Sequence, residues 1–249
     1  MASRMKALYN QVLFERRILF GCTVLVGLCA CFWAVSIAID HWYILESSDG
    51  TGLTCLESRG NGSVGLFKYM GLWKYCEYGT ERVDSGTSTE TKPYVICKFH
   101  NMFPAETPAK QNVDLDQTVL NYSRTQGSFA VMSMAIMLMG FGFSIYTFRN
   151  PRYMFKRLAG GIHFIGAACV MVVIQVLLSA AEYESDRCTR QSSPDAIMTY
   201  DYSLILAWFV FIGVLISGCA FMIFSKKRKR DRAPTEEIAM ADEPTIIGR

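Results

Sequence analysis

The chain has 249 residues, 51% of them hydrophobic and 13% aromatic, and a formal net charge of +3. That length suits one compact unit and leaves no room for a second domain of normal size. Four apolar runs hold no Asp, Glu, Lys or Arg, and each has the roughly 20 residues that carry a helix across a bilayer. A soluble enzyme is set aside, and an integral membrane protein with four spans is expected.

In chain order, the segments are an N-terminus over 1–17, a first span over 18–39 and an outer segment over 40–125. A second span (126–148), a short connection (149–157) and a third span (158–181) follow. A second outer segment (182–202), a fourth span (203–224) and a tail (225–249) complete the chain. Arg4, Lys6, Arg16 and Arg17 precede the first span, and Arg149, Arg152, Lys156 and Arg157 lie between the second and third. Lys226, Lys227, Arg228, Lys229 and Arg230 follow the fourth. Excess Lys and Arg marks the cytoplasmic face, so both termini are expected inside, in a multi-pass protein of the plasma membrane. The last cluster abuts a span and reads as an anchor against anionic lipid rather than a nucleic-acid site. The opposite side is acidic, with eleven acids against eight bases over 40–125 and five against two over 182–202. The first apolar run is too long for a cleaved signal and shows no small-x-small site before Asp40, so it reads as a retained helix.

The first span carries Ala30, Ala34 and Ala38, the second Gly140 and Ser144, and the third Ala159-Gly160-Gly161 and Gly166-Ala167-Ala168. Small residues at such spacing let helices approach closely. They predict packing within the bundle, or a stripe that docks a partner's helix. His163 and Gln175 are the polar residues that stand out in the third span, and no ionisable pair crosses the midplane. Autonomous transport is therefore not expected.

The first outer segment predicts a small antiparallel sheet. Candidate strands are His41 to Leu45, Val64 to Tyr69, Leu72 to Tyr78 and Pro93 to Phe99, where aromatic and polar residues mix as they do on half-exposed strands. Gly79 to Thr91 reads as a polar, mobile connection, and Val113 to Tyr122 as a short helix ahead of the second span. Asn61 and Asn121 head glycosylation sequons on this side.

Of nine cysteines, Cys22, Cys29, Cys31, Cys169 and Cys219 lie within spans and read as small packing residues. Cys55, Cys76, Cys97 and Cys188 all fall outside, where disulfides form. Their spacing fits no common zinc pattern, and four cysteines allow three pairings. No phosphate loop, catalytic triad or carboxylate dyad is visible. Neither catalysis, nor a metal, nor a cofactor is expected.

Asp40-His41-Trp42, then Gly71-Leu72-Trp73-Lys74-Tyr75-Cys76, then Cys97, resemble the signature of the claudin and peripheral-myelin-protein superfamily. Within it, the chain is most similar to the gamma subunits of voltage-gated calcium channels. The residues behind that finer likeness are Cys55 ahead of the Gly-Leu-Trp motif, Phe99 to Glu106, the Arg149 to Arg157 connection, and Tyr202-Ser203 with Ala207-Trp208. The resemblance covers residues of about 15 to 225. It implies an all-α transmembrane four-helix bundle, left-handed in its supercoil, topped by a small extracellular antiparallel sheet. In that fold, Trp42, Gly71, Leu72 and Trp73 would seat the sheet. It also implies pairing of Cys76 with Cys97, leaving Cys55 for Cys188. The 21-residue interval between Cys76 and Cys97 is long for a claudin, and the pairing Cys55–Cys76 with Cys97–Cys188 stays open.

By the same resemblance, the chain would be a non-catalytic auxiliary subunit. It would bind the pore-forming alpha-1 subunit beside a voltage-sensing domain, using its second and third spans and outer domain. The competing expectation is a claudin-like junction protein that self-associates into a paracellular barrier or pore. The tail ends Ile246-Ile247-Gly248-Arg249 and lacks the terminal apolar residue that PDZ pockets take, which weighs against that competitor. A regulatory subunit of another receptor or channel is a third expectation.

Overall fold

The computed structural model describes residues 2–47, 52–53, 55, 63–84, 89–103, 117–150, 152–191 and 196–225. Among the described residues, four helices are long and apolar enough to cross a membrane. They are α1 (Ala2–Ala38), α2 (Gln117–Arg149), α3 (Tyr153–Gln191) and α4 (Tyr202–Ile223). Five strands accompany them: β1 (Tyr43–Ser47), β2 (Ser63–Met70), β3 (Lys74–Asp84), β4 (Thr89–Phe99) and β5 (Ala196–Tyr200). They form one antiparallel sheet in the order β4-β3-β2-β1-β5.

The sheet differs from the sequence expectation in three places. Gly71 to Trp73 turn the chain, so β3 starts at Lys74 rather than Leu72. Most of the stretch expected as a mobile connection is strand: β3 runs on to Asp84 and β4 begins at Thr89, with residues 85–88 outside the described residues. Glu81 pairs with Lys92 and Arg82 with Thr91 across this ladder. The opposite-charge pair Glu81–Lys92 and the β-branched Thr91 in the ladder favour such an extension. The third difference is β5, which lies in the second outer segment, where the sequence reading placed no strand. It pairs with β1 over five residue pairs, from Tyr43↔Tyr200 to Ser47↔Ala196. Pro93 fits within β4 because β4 is an edge strand.

The helices also overrun the apolar runs. At 1.5 Å per residue, the 39 residues of α3 span about 58 Å, well beyond a hydrocarbon core of about 30 Å. The predicted short helix over Val113 to Tyr122 is, from Gln117 onward, simply the first turns of α2.

By contacts, the chain divides into two compact units. One comprises Met1–Cys31, Met132–Cys169 and Phe209–Arg249, and the other Phe32–Val131 and Val170–Trp208. The described residues of the first unit form helices and short connections, with no strand among them. Leu19, Ala159 and Phe221 form its buried cluster, joined by Cys22, Phe143, Phe148 and Phe224, so all four helices contribute. Hydroxyls tie helix to backbone: Ser217 Oγ bonds the Gly213 carbonyl at 2.9 Å, and Ser225 Oγ donates to the Tyr153 carbonyl at 2.8 Å.

Small residues set the closest approach between α2 and α3. Ser144 Oγ donates to the Gly140 carbonyl (2.9 Å) and lies 2.8 Å from His163 Nε2. With the hydroxyl proton given to the carbonyl, Nε2 carries the ring proton. A Cβ on Gly140 would stand 2.9 Å from His163 Nδ1 and 3.1 Å from Ile162 Cγ2. The alanines of the first span behave differently: Ala30 is buried, but Ala34 and Ala38 are exposed. Val26, Cys29, Trp33 and Ser36 are its fully buried residues instead.

Replacing Gly140 by leucine should push α3 off α2 and cost about 1–3 kcal/mol. A thermal melt of the purified protein in detergent should show a midpoint several degrees below the parent. An unchanged midpoint would mean that the two helices can separate freely there.

Candidate functional site

The second unit holds the sheet and the helix ends that meet it. Trp42 lies at its centre, fully buried. Its indole Nε1 donates at 3.0 Å to the carbonyl of Ser36, in the last turn of α1. Its backbone N donates to the Met70 carbonyl, and its carbonyl accepts from Asp201 N, both at 3.0 Å. Trp33 meets it edge to face at 6.2 Å. Ser36 Oγ reaches the Ser203 carbonyl at 2.9 Å. One residue thus joins α1, the end of β2 and the start of α4. Asp201 caps that helix, accepting from Tyr202 N at 2.7 Å, while its other oxygen lies 2.9 Å from His41 Nδ1.

Gly71, Leu72 and Trp73 make the tight turn from β2 into β3, closed by Gly71 N donating to the Lys74 carbonyl at 2.9 Å. A Cβ on Gly71 would come within 2.6 Å of Asp40 Cα and 2.7 Å of the Lys74 oxygen. Both are backbone atoms that cannot yield, so no other residue fits. Leu72 is buried, and Trp73 lies against Gly127 of α2, where an added Cβ would meet its ring at 3.1 Å.

Cys76 and Cys97 face each other across β3 and β4 and are bonded, their Cα atoms 4.1 Å apart. Cys55 and Cys188 form the second bridge, with Cα atoms 5.2 Å apart. Of the pairings open from sequence, the structure has the one the resemblance implied. The second bridge lies in a buried cluster with Leu45 and Leu53. Asn121 is exposed in the first turns of α2, and its carbonyl accepts from Thr125 Oγ1 at 2.8 Å. Asn61 and the basic run Lys226 to Arg230 lie outside the described residues.

Between the sheet and α3 is a charged group that the sequence reading missed. Lys68 of β2 lies 2.8 Å from Glu184 Oε1 of α3 and 3.6 Å from Glu77 Oε1 of β3. Tyr43 Oη of β1 donates to Glu184 Oε2 at 2.7 Å. Lys68 Nζ also lies 4.4 Å over the Tyr75 ring. Side-chain exposures of 12% for Lys68, 3% for Glu77 and 20% for Glu184 mean that these charges answer to one another more than to water. Burial alone would lower the Lys68 ammonium, yet Glu184, with Glu77, holds it above the ordinary lysine value, so it stays a cation. Burial, then the Glu184 charge and hydrogen bond, raises Tyr43 well above the usual phenol value, so it remains a donor. The sequence signal was faint: Glu184 follows the apolar run by three residues and read as one more surface acid.

Beside this group lies a cavity of about 20 Å³ lined in part by Tyr43, Gly71, His100, Tyr122, Gln126 and Glu184. It has room for about one water. Among the described residues, no three His, Cys, Asp or Glu side chains are grouped to hold a metal.

The arrangement binds strands to helices, and it offers surfaces. One sheet face turns inward with Tyr43, Leu45, Met70 and Glu77. The other presents Glu46, Val95, Cys97 and Ile197 to solvent, and on it Phe67, Tyr69 and Tyr78 contact one another with ring centroids 4.8 to 5.6 Å apart. Within the spans, α2 exposes Val131, Met132, Leu138, Met139 and Ile145.

Replacing Lys68 by alanine should leave two buried carboxylates without their cation and cost about 3–5 kcal/mol. Adding Glu184→Gln should recover part of that loss, since the amide oxygen still accepts from Tyr43. Chemical unfolding of the four variants in detergent checks the cycle. Additive losses would dissolve the coupling. Separately, Gly71→Ala should lower the thermal midpoint by several degrees through the backbone clash at Asp40.

A family model described as PMP-22/EMP/MP20/Claudin tight junction matches residues 25–223 of the chain. The match takes in every strand, the last part of α1 from residue 25, and all of α2, α3 and α4.

Proposed function

The chain belongs to the PMP-22/EMP/MP20/Claudin family, and from that premise we propose that it is a non-catalytic auxiliary subunit of a voltage-gated calcium channel, of the gamma type. In this reading, it is a multi-pass protein of the plasma membrane with both termini in the cytoplasm, on the side of its three Lys and Arg clusters. It binds the pore-forming alpha-1 subunit beside a voltage-sensing domain. The observation that carries the reading is the second bridge, Cys55–Cys188. Cys55 ahead of the Gly-Leu-Trp turn belongs to the gamma-like residues, and a cysteine in the second outer segment is unusual for a claudin. Joining both outer segments, the bridge supports a stiff outer domain next to α2 and α3. A stiff domain can bias a voltage sensor only by contacting its two states unequally.

A claudin-like junction protein is the second reading. The family model's own description, a tight-junction one, favours it, as does the exposed sheet face with Val95 and Ile197.

Affinity purification from native membrane in mild detergent, followed by mass spectrometry, separates the two. A voltage-gated pore subunit recovered in stoichiometric amount is expected. In cells expressing that pair, alanine at Leu138, Met139 and Ile145 of α2 should weaken co-purification and reduce the gating shift. Recovery of only the chain itself and junction proteins, with staining confined to cell contacts, would move the function to a paracellular barrier.

A further inference from the structure

Two buried polar side chains near the start of α2 find no partner in the protein. Ser123 is 8% exposed and Gln126 7%, and neither side chain has a hydrogen-bond partner among the described residues. Thr125, between them, returns its hydroxyl to the Asn121 carbonyl four residues back, as helical hydroxyls commonly do. Ser123 does not. Both Ser123 and Gln126 line the cavity beside Glu184.

That cavity is walled by two facing helix stripes. α2 supplies Val119, Ser123 and Gln126, and α3 supplies Leu177, Ala180 and Glu184, each set spaced to share one face. The Tyr122 and Tyr183 rings meet with centroids 6.2 Å apart, while Ser144 meets His163 further along, so the two helices run in opposite directions. Helical side chains lean toward the N-terminus of their own helix. Gln126, one turn beyond Tyr122, therefore leans back toward the level of Tyr122. Glu184, next to Tyr183, leans the opposite way along α3. Amide and carboxylate converge on one space from its two ends.

Glu184 retains accepting capacity. Its Oε1 lies 2.8 Å from Lys68 Nζ and its Oε2 accepts from Tyr43 Oη at 2.7 Å, yet each carboxylate oxygen has room for a second bond. Lys68 is one cation against the two carboxylates Glu77 and Glu184, so negative charge is in excess, and a further donor to Glu184 is favoured. Gln126 brings two N–H donors and an acceptor, and Ser123 a hydroxyl. The space between them, about 20 Å³, takes about one water molecule.

We propose that this cavity is a binding site for a single ordered water, which accepts from the Gln126 amide, donates to Glu184 and has Ser123 as its third partner. Three hydrogen bonds are what a buried water ordinarily makes. Immobilising one water costs less than leaving two buried polar side chains unmet. The water extends solvation to a carboxylate that the sheet has covered, and it links α2 to that carboxylate through Gln126 and Ser123, neither of which bonds to Glu184 directly. The site lies wholly within the outer unit and holds whichever partner the chain meets.

Water-edited solid-state NMR of the full chain in lipid bilayers tests the site. The Gln126 side-chain amide, identified as the signal missing from Gln126→Leu, should receive magnetisation from water despite its burial. The thermal midpoint of Gln126→Leu should lie several degrees below that of the parent. Should that variant fail to fold, a crystal structure of the parent grown from a lipidic phase decides. One ordered water within hydrogen-bonding distance of both Gln126 and Glu184 supports the site. A cavity closed by side chains, a Gln126 amide bonded to a protein carbonyl, or the short contacts of a bound cation would overturn it. An absence of transfer from water to the Gln126 amide, or an unchanged midpoint in Gln126→Leu, would do the same.

Discussion

The outer half of this protein depends on one buried indole and the bonds that its residue makes. Trp42 stands just beyond the end of α1, and its side chain and both backbone groups are committed to three different elements. A strand cannot leave a helix at an arbitrary angle when the residue between them is fixed in this way. The register of β1 follows, and with it the faces of the sheet, because a slip of one residue would turn Leu45 outward and Glu46 inward. The Gly71 turn completes the arrangement from the other side, where the Asp40 backbone leaves no space for a side chain.

A second constraint comes from the length of α3. The helix continues ten residues beyond its apolar run and carries Glu184 and Cys188 up beside the sheet. Glu184 then closes onto Lys68, and Cys188 onto Cys55. The ionic contact need not add much net stability, since desolvating both charges offsets most of their attraction. Its stronger effect is on specificity: any other seating of the sheet strands a lysine and two carboxylates out of water. Charge thus selects the position, and the buried aromatics and disulfides supply the stability.

Much of this was legible in the sequence. The four spans follow from apolar length alone, and the seating motif and the second bridge follow from likeness in a few residues. The strands could be read where aromatic and polar residues mix. The parts that were not legible share a physical reason. β5 is five residues long and acquires its identity only from pairing with β1, which is about 150 residues away in the chain. The arm of the β3–β4 hairpin looked like loop because Thr, Glu and Lys are polar, and only cross-strand pairing makes them strand. Glu77, Glu184 and Lys68 looked like surface charge because no local pattern brings together residues from three separate elements. His100 was noted in the sequence merely as one of three unclustered histidines, and its setting is wholly tertiary.

The two bridges also differ in when the ribosome makes them possible. Cys76 and Cys97 are separated by 21 residues, and both emerge before the second span begins. Cys55 and Cys188 are separated by 133 residues, so this bond cannot form until two more membrane segments have been synthesised. β5, which completes the sheet beside β1, arrives later still. In the proposed topology, the first outer segment therefore emerges with an open flank and without the final partner of Cys55, and both are supplied only once the third helix has been inserted. That sequence of events makes the late disulfide a report on membrane topology. In the proposed orientation, a chain threaded wrongly would carry its mistake as an unpaired cysteine.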